Sequence, residues 1–114
     1  MFPSGPWRGF YEYPGGGRDW MEPLTLAFDG RHVKGEGFDP VGEFTFQGTY
    51  LNGAVSLVKR YVGMHSVRYQ GKVSGEGVIT GTWNIGDWSR GSFALMPDRH
   101  ATAGLPITEA GFGE

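Results

Sequence analysis

The stretch Glu43-Phe44-Thr45-Phe46-Gln47-Gly48-Thr49-Tyr50-Leu51-Asn52-Gly53-Ala54-Val55-Ser56-Leu57-Val58-Lys59-Arg60-Tyr61 decides how this chain folds. Apolar residues fall on alternate positions on both sides of Asn52-Gly53, the period of a half-buried strand. Asn-Gly suits the two left-handed positions of a type I′ turn, whose twist matches the strands it joins. A turn there sets Tyr50 opposite Val55 and Gly48 opposite Leu57. The apolar residues of both strands then share one face, as a hairpin in register requires.

Working outward, the same alternation recurs over residues 7–13, 24–28, 32–38, 65–73, 78–85 and 91–96. Each junction can be closed without turning a strand over. A Gly30-Arg31 loop pairs Phe28 with Val33, and Pro40-Val41 pairs Gly37 with Phe44. A loop over 62–64 pairs Tyr61 with His65 and Lys59 with Val67. A loop over 86–90 pairs Ile85 with Gly91 and Trp83 with Phe93. No stretch carries a helical stripe. Eight strands in an open sheet would leave two long unpaired edges, and closure removes them. The expectation is an all-β domain, an eight-stranded antiparallel up-and-down meander barrel spanning 1–97. Residues 98–114 read as an irregular tail with a short packed turn at Leu105-Pro106-Ile107.

The same parity defines an interior. Trp7, Tyr11, Tyr13, Leu24, Leu26, Phe28, Val33, Phe44, Phe46, Tyr50, Val55, Leu57, Tyr61, Val67, Tyr69, Ile79, Trp83, Ile85, Phe93 and Leu95 should point inward. Several glycines share that face, which suits a narrow barrel mixing bare backbone with large rings. Thr45, Gln47, Thr49, Arg68, Gln70, Thr80 and Thr82 should face out. Short echoes such as Phe46-Gln47-Gly48 and Tyr69-Gln70-Gly71 have the flavour of membrane-occupation hairpin repeats, but no fixed period accompanies them.

Composition narrows the function classes. A chain of 114 residues fits one domain. Its net charge of −2, with both signs dispersed, lacks the basic stripe of a nucleic-acid binder or a polybasic membrane anchor. No apolar run is long enough to span a bilayer as a helix. The opening Met1-Phe2-Pro3-Ser4-Gly5-Pro6 does not read as a secretory leader. Cysteine is absent, so thiolate chemistry is excluded. The default reading is a cytoplasmic protein of bacterial type, with no nucleic-acid or membrane partner.

In a meander the loops alternate between two ends. Loops at 29–31, 52–53 and 74–77 are short and polar. Loops at 14–23, 39–42, 62–64 and 86–90 share the other end, which carries Trp20, Met21, Met64 and Trp88. Aromatic residues on loops at a barrel mouth build ligand walls, or else plug the end or meet a second subunit. Just inside that mouth the inward face turns polar, with Tyr13, Tyr61, His65 and Lys59. An inward Lys59 needs a partner, a route to water or a ligand anion. A one-residue bulge would instead turn it out and leave Arg60 or Val58 inside. His65 suits a proton carrier, a metal ligand, or a rim histidine bonded to a tyrosine. Asp39 and Asp87 lie in loops at the same end and are minor candidates for ligand contact. His32, His65 and His100 sit on separate segments without metal-ligand spacing. No serine has an activating motif around it. Gly15-Gly16-Gly17-Arg18 could wrap an anion, but it precedes no helix.

Trp7-x-Gly9-x-Tyr11 in the first strand and Gly81-Thr82-Trp83 near the end make this layout resemble the calycin barrels, the avidin, lipocalin and fatty-acid-binding type. Trp7-Arg8-Gly9 with Tyr13-Pro14 also resembles the opening of nitrobindin-like haem barrels. The calycin resemblance implies a small apolar ligand at the end where the first, third, fifth and seventh loops meet. It supplies a fold and a ligand end rather than residues, because the set that holds biotin in avidin has no counterpart here.

Together these readings lead to a non-enzymatic barrel that binds a small, partly apolar ligand and needs no cofactor. Tyr13, Trp20, Lys59, Tyr61, His65 and Trp88 are the candidate ligand contacts. The alternative is a fully packed, oligomerising interaction module, with Phe10, Phe38, Leu51, Val58 and Met96 as its outer face.

Overall fold

The computed structural model describes residues 3–98. Eight strands run in chain order: β1 (Gly5–Glu12), β2 (Arg18–Asp29), β3 (His32–Asp39), β4 (Gly42–Leu51), β5 (Ala54–Tyr61), β6 (Ser66–Val73), β7 (Ile79–Ile85) and β8 (Ser89–Pro97). Each pairs antiparallel with its neighbours, and β8 pairs back onto β1, so the meander closes. The closing ladder matches Trp7 with Pro97, Gly9 with Leu95 and Tyr11 with Phe93. The tail reading lies, apart from Asp98, outside the described residues.

The hairpin at Asn52-Gly53 forms as its sequence dictates. Both residues have positive φ, 51° and 83°, and Tyr50 faces Val55 while Gly48 faces Leu57. Phe28 faces Val33, Gly37 faces Phe44, and Lys59 faces Val67. One expected register is corrected. Trp83 faces Gly91 rather than Phe93, and Ile85 faces Ser89. The slip is two residues, because the loop is shorter than 86–90, so every side chain keeps its face.

The second correction concerns the stretch 14–23. It is mostly strand, since β2 begins at Arg18. Trp7 pairs with Leu24 and Gly9 with Met21, so β2 carries one extra residue around Glu22-Pro23. This bulge shifts the parity, and Met21 and Leu24 are both buried. Trp20 therefore leaves the mouth and stands on the outer wall. Its ring meets Phe10 edge-on at 5.1 Å and carries the Arg8 guanidinium at 4.5 Å. The Arg18 guanidinium also lies over the Phe10 ring, at 3.8 Å.

Inside, the core follows the expected parity. Trp7, Leu24, Leu26, Val33, Phe44, Phe46, Leu57, Tyr69, Ile79 and Leu95 are all buried. Phe46 and Tyr69 meet at 5.2 Å, and Tyr69 and Phe93 at 4.7 Å, in tilted or edge-on pairs that fill the middle of the barrel. Tyr13 departs from the inward set. It follows the end of β1 and is 41 % exposed.

Candidate functional site: a charged interior at one end

Strand direction places the polar interior. Each of β1, β3, β5 and β7 runs toward the end where the connections at 13–17, 40–41, 62–65 and 86–88 meet. Lys59 and Tyr61 are the last inward residues of β5, Asp39 the last residue of β3, and Tyr11 the last inward residue of β1. At the opposite end the inward residues Trp7, Leu26, Val33, Val55, Ile79 and Leu95 carry no charge. Charge inside the barrel is thus confined to one end.

Lys59 points inward and is fully buried, which settles the two readings of its direction. No bulge interrupts β5 beside it, because Val58 faces Gln47 and Arg60 faces Thr45 in an unbroken ladder. Its three donors find three acceptors: Asp39 Oδ2 at 2.6 Å, the Tyr69 hydroxyl at 3.3 Å and the Met21 thioether at 3.4 Å. Four rings surround the ammonium. Those of Tyr11 and Phe44 lie 4.3 Å away, Tyr61 4.7 Å and Tyr69 5.5 Å. Such faces attract a cation that has lost its water. Burial still wins over these contacts and over Asp39, and it brings the Lys59 ammonium down from 10.5 to about 8.

Asp39 does two jobs. Its Oδ1 accepts the amides of Val41 at 2.8 Å and Gly42 at 3.3 Å, tightening the β3–β4 turn. Its Oδ2 accepts Lys59 and the Tyr61 hydroxyl, each at 2.6 Å. The Tyr61 phenol is pushed upward by burial and by this bond to a carboxylate, so it stays a donor. Tyr11 and Tyr69 are pushed upward too, chiefly by burial.

Nearer the solvent lies a second carboxylate. Asp19 Oδ2 accepts the Tyr13 hydroxyl at 2.5 Å and the Tyr11 hydroxyl at 3.4 Å. The bond to Asp19 raises the Tyr13 phenol. Trp83 closes this corner edge-on, 6.4 Å from Tyr11 and 6.5 Å from Tyr13. Its indole N–H donates to the Glu12 carbonyl at 2.9 Å. On the loops of the same end Val41, Val62, Met64 and Trp88 are exposed.

The six candidate contacts therefore scatter. Lys59 and Tyr61 share one cluster, and Tyr13 belongs to the neighbouring one around Asp19. His65 is exposed and lies ring to ring with Tyr61 at 5.1 Å. The Tyr61 hydroxyl does not donate to the His65 ring, because it is committed to Asp39. The two residues are joined instead by the Tyr61 backbone N–H, which donates to the His65 carbonyl at 3.2 Å. Trp88 stands 78 % exposed on the β7–β8 loop, and Trp20 is on the outer wall. Sequence reasoning missed Asp19; it named Asp39 only as a minor loop candidate for ligand contact and Met21 only as a residue of the mouth loop. Asp39 carried a usable signal. It has the parity of Val33, Gly35 and Gly37, and it ends its strand where an inward Lys59 requires a counter-charge.

Among the described residues no group of three or more His, Cys, Asp or Glu is placed to hold a metal ion. Among the same residues no helix is long and apolar enough to cross a membrane. Comparisons with protein-family models, curated proteins and solved structures returned no match.

Proposed function

We propose that this barrel is a non-enzymatic binding module that takes a small, partly apolar molecule at the end formed by the loops after β1, β3, β5 and β7. One observation carries the reading. Lys59, Asp39 and Asp19, with the hydroxyls of Tyr11, Tyr13, Tyr61 and Tyr69, all lie at that end, whose loops carry the exposed Val41, Val62, Met64 and Trp88. A buried ion pair adds little stability that well-packed apolar residues would not supply. Placing it under a mouth gives it a use: fixed polar contacts below apolar walls. Because rings fill the middle of the barrel, the ligand sits shallowly, against Tyr13, Tyr61 and His65. The resemblance to calycin barrels, whose ligands enter where these same loops meet, supports the same end.

The packed, oligomerising alternative has weaker support. Phe10 is covered by Arg18 and Trp20. The exposed Phe38 and Leu51 stand near opposite ends of the barrel.

The test is a fragment set of neutral, anionic and cationic members, read by amide shifts in a two-dimensional NMR spectrum. Shifts confined to residues 13–17, 39–42, 62–65 and 86–89 are expected for at least one class. Silence at those loops for every class, or shifts centred on 29–32, 51–54 and 74–78, would overturn the proposal.

A further inference from the structure

The geometry points to a specific ligand class for the outer part of this mouth: a small organic cation, an alkylammonium or quaternary ammonium, held by Asp19 among Tyr11, Tyr13 and Trp83. This rests on the binding reading above and sharpens it.

The protein already contains one ammonium site, and its construction is visible. The Lys59 ammonium sits on one oxygen of Asp39, among aromatic rings, with a tyrosine hydroxyl donating to the same carboxylate oxygen. Asp19 has the same parts. The hydroxyls of Tyr11 and Tyr13 donate to its Oδ2, and Trp83 packs edge-on against both of those tyrosine rings at 6.4 and 6.5 Å. A cation is what differs. Lys59 is spent on Asp39, and the neighbouring Arg18 is turned away onto Glu12 at 2.6 Å. Among the described residues no side-chain cation pairs with Asp19, and its Oδ1 accepts no protein hydrogen bond.

Electrostatics and shape favour this class. A carboxylate with aromatic residues close by selects a weakly hydrated cation over a neutral molecule of equal shape. An anion would face Asp19 directly and find Lys59 already neutralised by Asp39. The raised phenols of Tyr11 and Tyr13 remain protonated near neutral pH, so they add no competing charge. Tyr13 is 41 % exposed, so this corner faces solvent.

The experiment titrates the protein with choline and, separately, with its neutral isostere 3,3-dimethyl-1-butanol, following the Trp83 indole N–H by NMR. Choline should shift that signal saturably and bind at least tenfold more tightly than the alcohol. Asp19→Asn keeps the shape and an acceptor for both tyrosines, so it should fold normally and lose at least tenfold in choline affinity. Asp87→Asn, on another loop of the same end, should change little. Equal binding of the two isosteres, or choline affinity unchanged in Asp19→Asn, would overturn the inference. Neutral or anionic fragments that shift the mouth loops while choline does not would overturn the cation assignment alone and leave the binding site standing. Silence from every fragment class would overturn both.

Discussion

Lys59 is the residue on which the interior turns. Its ammonium is fully buried against Asp39 and four rings. Removing one member of such a pair leaves the other charged, dry and unpaired. Lys59→Met should therefore lower stability by about 3–5 kcal/mol. Lys59→Met combined with Asp39→Asn should recover at least half of that loss, since the amide oxygen of the substituted side chain would still accept from the turn amides. Urea denaturation of the four-member cycle checks this, and simple additivity of the two losses would contradict it. The same residue sets a pH dependence. From about pH 8 until unfolded tyrosines ionise near pH 10, the unfolded chain keeps the lysine proton that the folded protein has shed. Stability should rise there with pH, by at most about 1.4 kcal/mol per pH unit. Above about pH 10 the order reverses, because Tyr11, Tyr61 and Tyr69 keep protons that unfolded tyrosines lose. Urea midpoints from about pH 7 to 11 should trace a rise and then a fall. Lys59→Met should erase the rise and keep the fall, and a steady decline from about pH 8 in the parent protein would contradict the assignment.

At the scale of strands and turns, the barrel is drawn tight by glycines that face inward where backbones approach. A Cβ at Gly81 would drive into the Gln70 carbonyl and the Gly71 backbone. Gly75, in the β6–β7 loop, has open space around the same position. Gly81→Ala should cost about 3 kcal/mol, whereas Gly75→Ala should stay within about 0.5 kcal/mol. Thermal or urea unfolding of the two variants decides, and similar stabilities would contradict the close approach of β6 and β7. Elements of this kind were largely legible. Asn52-Gly53 announces its own turn, and parity carried from hairpin to hairpin assigns most of the interior. Parity failed where the backbone broke its period. The extra residue around Glu22-Pro23 moved Met21 to the inside and Trp20 to the outer wall, and a proline beside a glycine-rich run reads as loop. The site was only half legible for a related reason. Lys59 stands out by its own chemistry, but Asp39 becomes its partner only once residues 20 positions apart are joined. Asp19 reaches Tyr11 and Tyr13 only because β2 begins as early as Arg18. Alternation within one strand carries neither piece of information.

At the scale of the whole molecule, closure makes the inside private. The β1–β8 ladder leaves no free edge among the eight strands, so water and charge reach the interior only through the ends. Amide exchange should accordingly be as slow in β1 and β8 as in β4 and β5; fast exchange confined to β1 and β8 would describe an open sheet instead. With the wall closed, the two ends differ in kind. The interior at one end is apolar, and at the other it holds a lysine and a carboxylate, with a second carboxylate and four phenols close by and exposed apolar residues on the loops. That division is tested most directly by titrating the Lys59 side chain in the intact protein through its Cε chemical shift. A midpoint near pH 8, as burial dictates, is the predicted result. A midpoint near the ordinary 10.5, with an ammonium exchanging freely with water, would place Lys59 outside the barrel and contradict the charged interior.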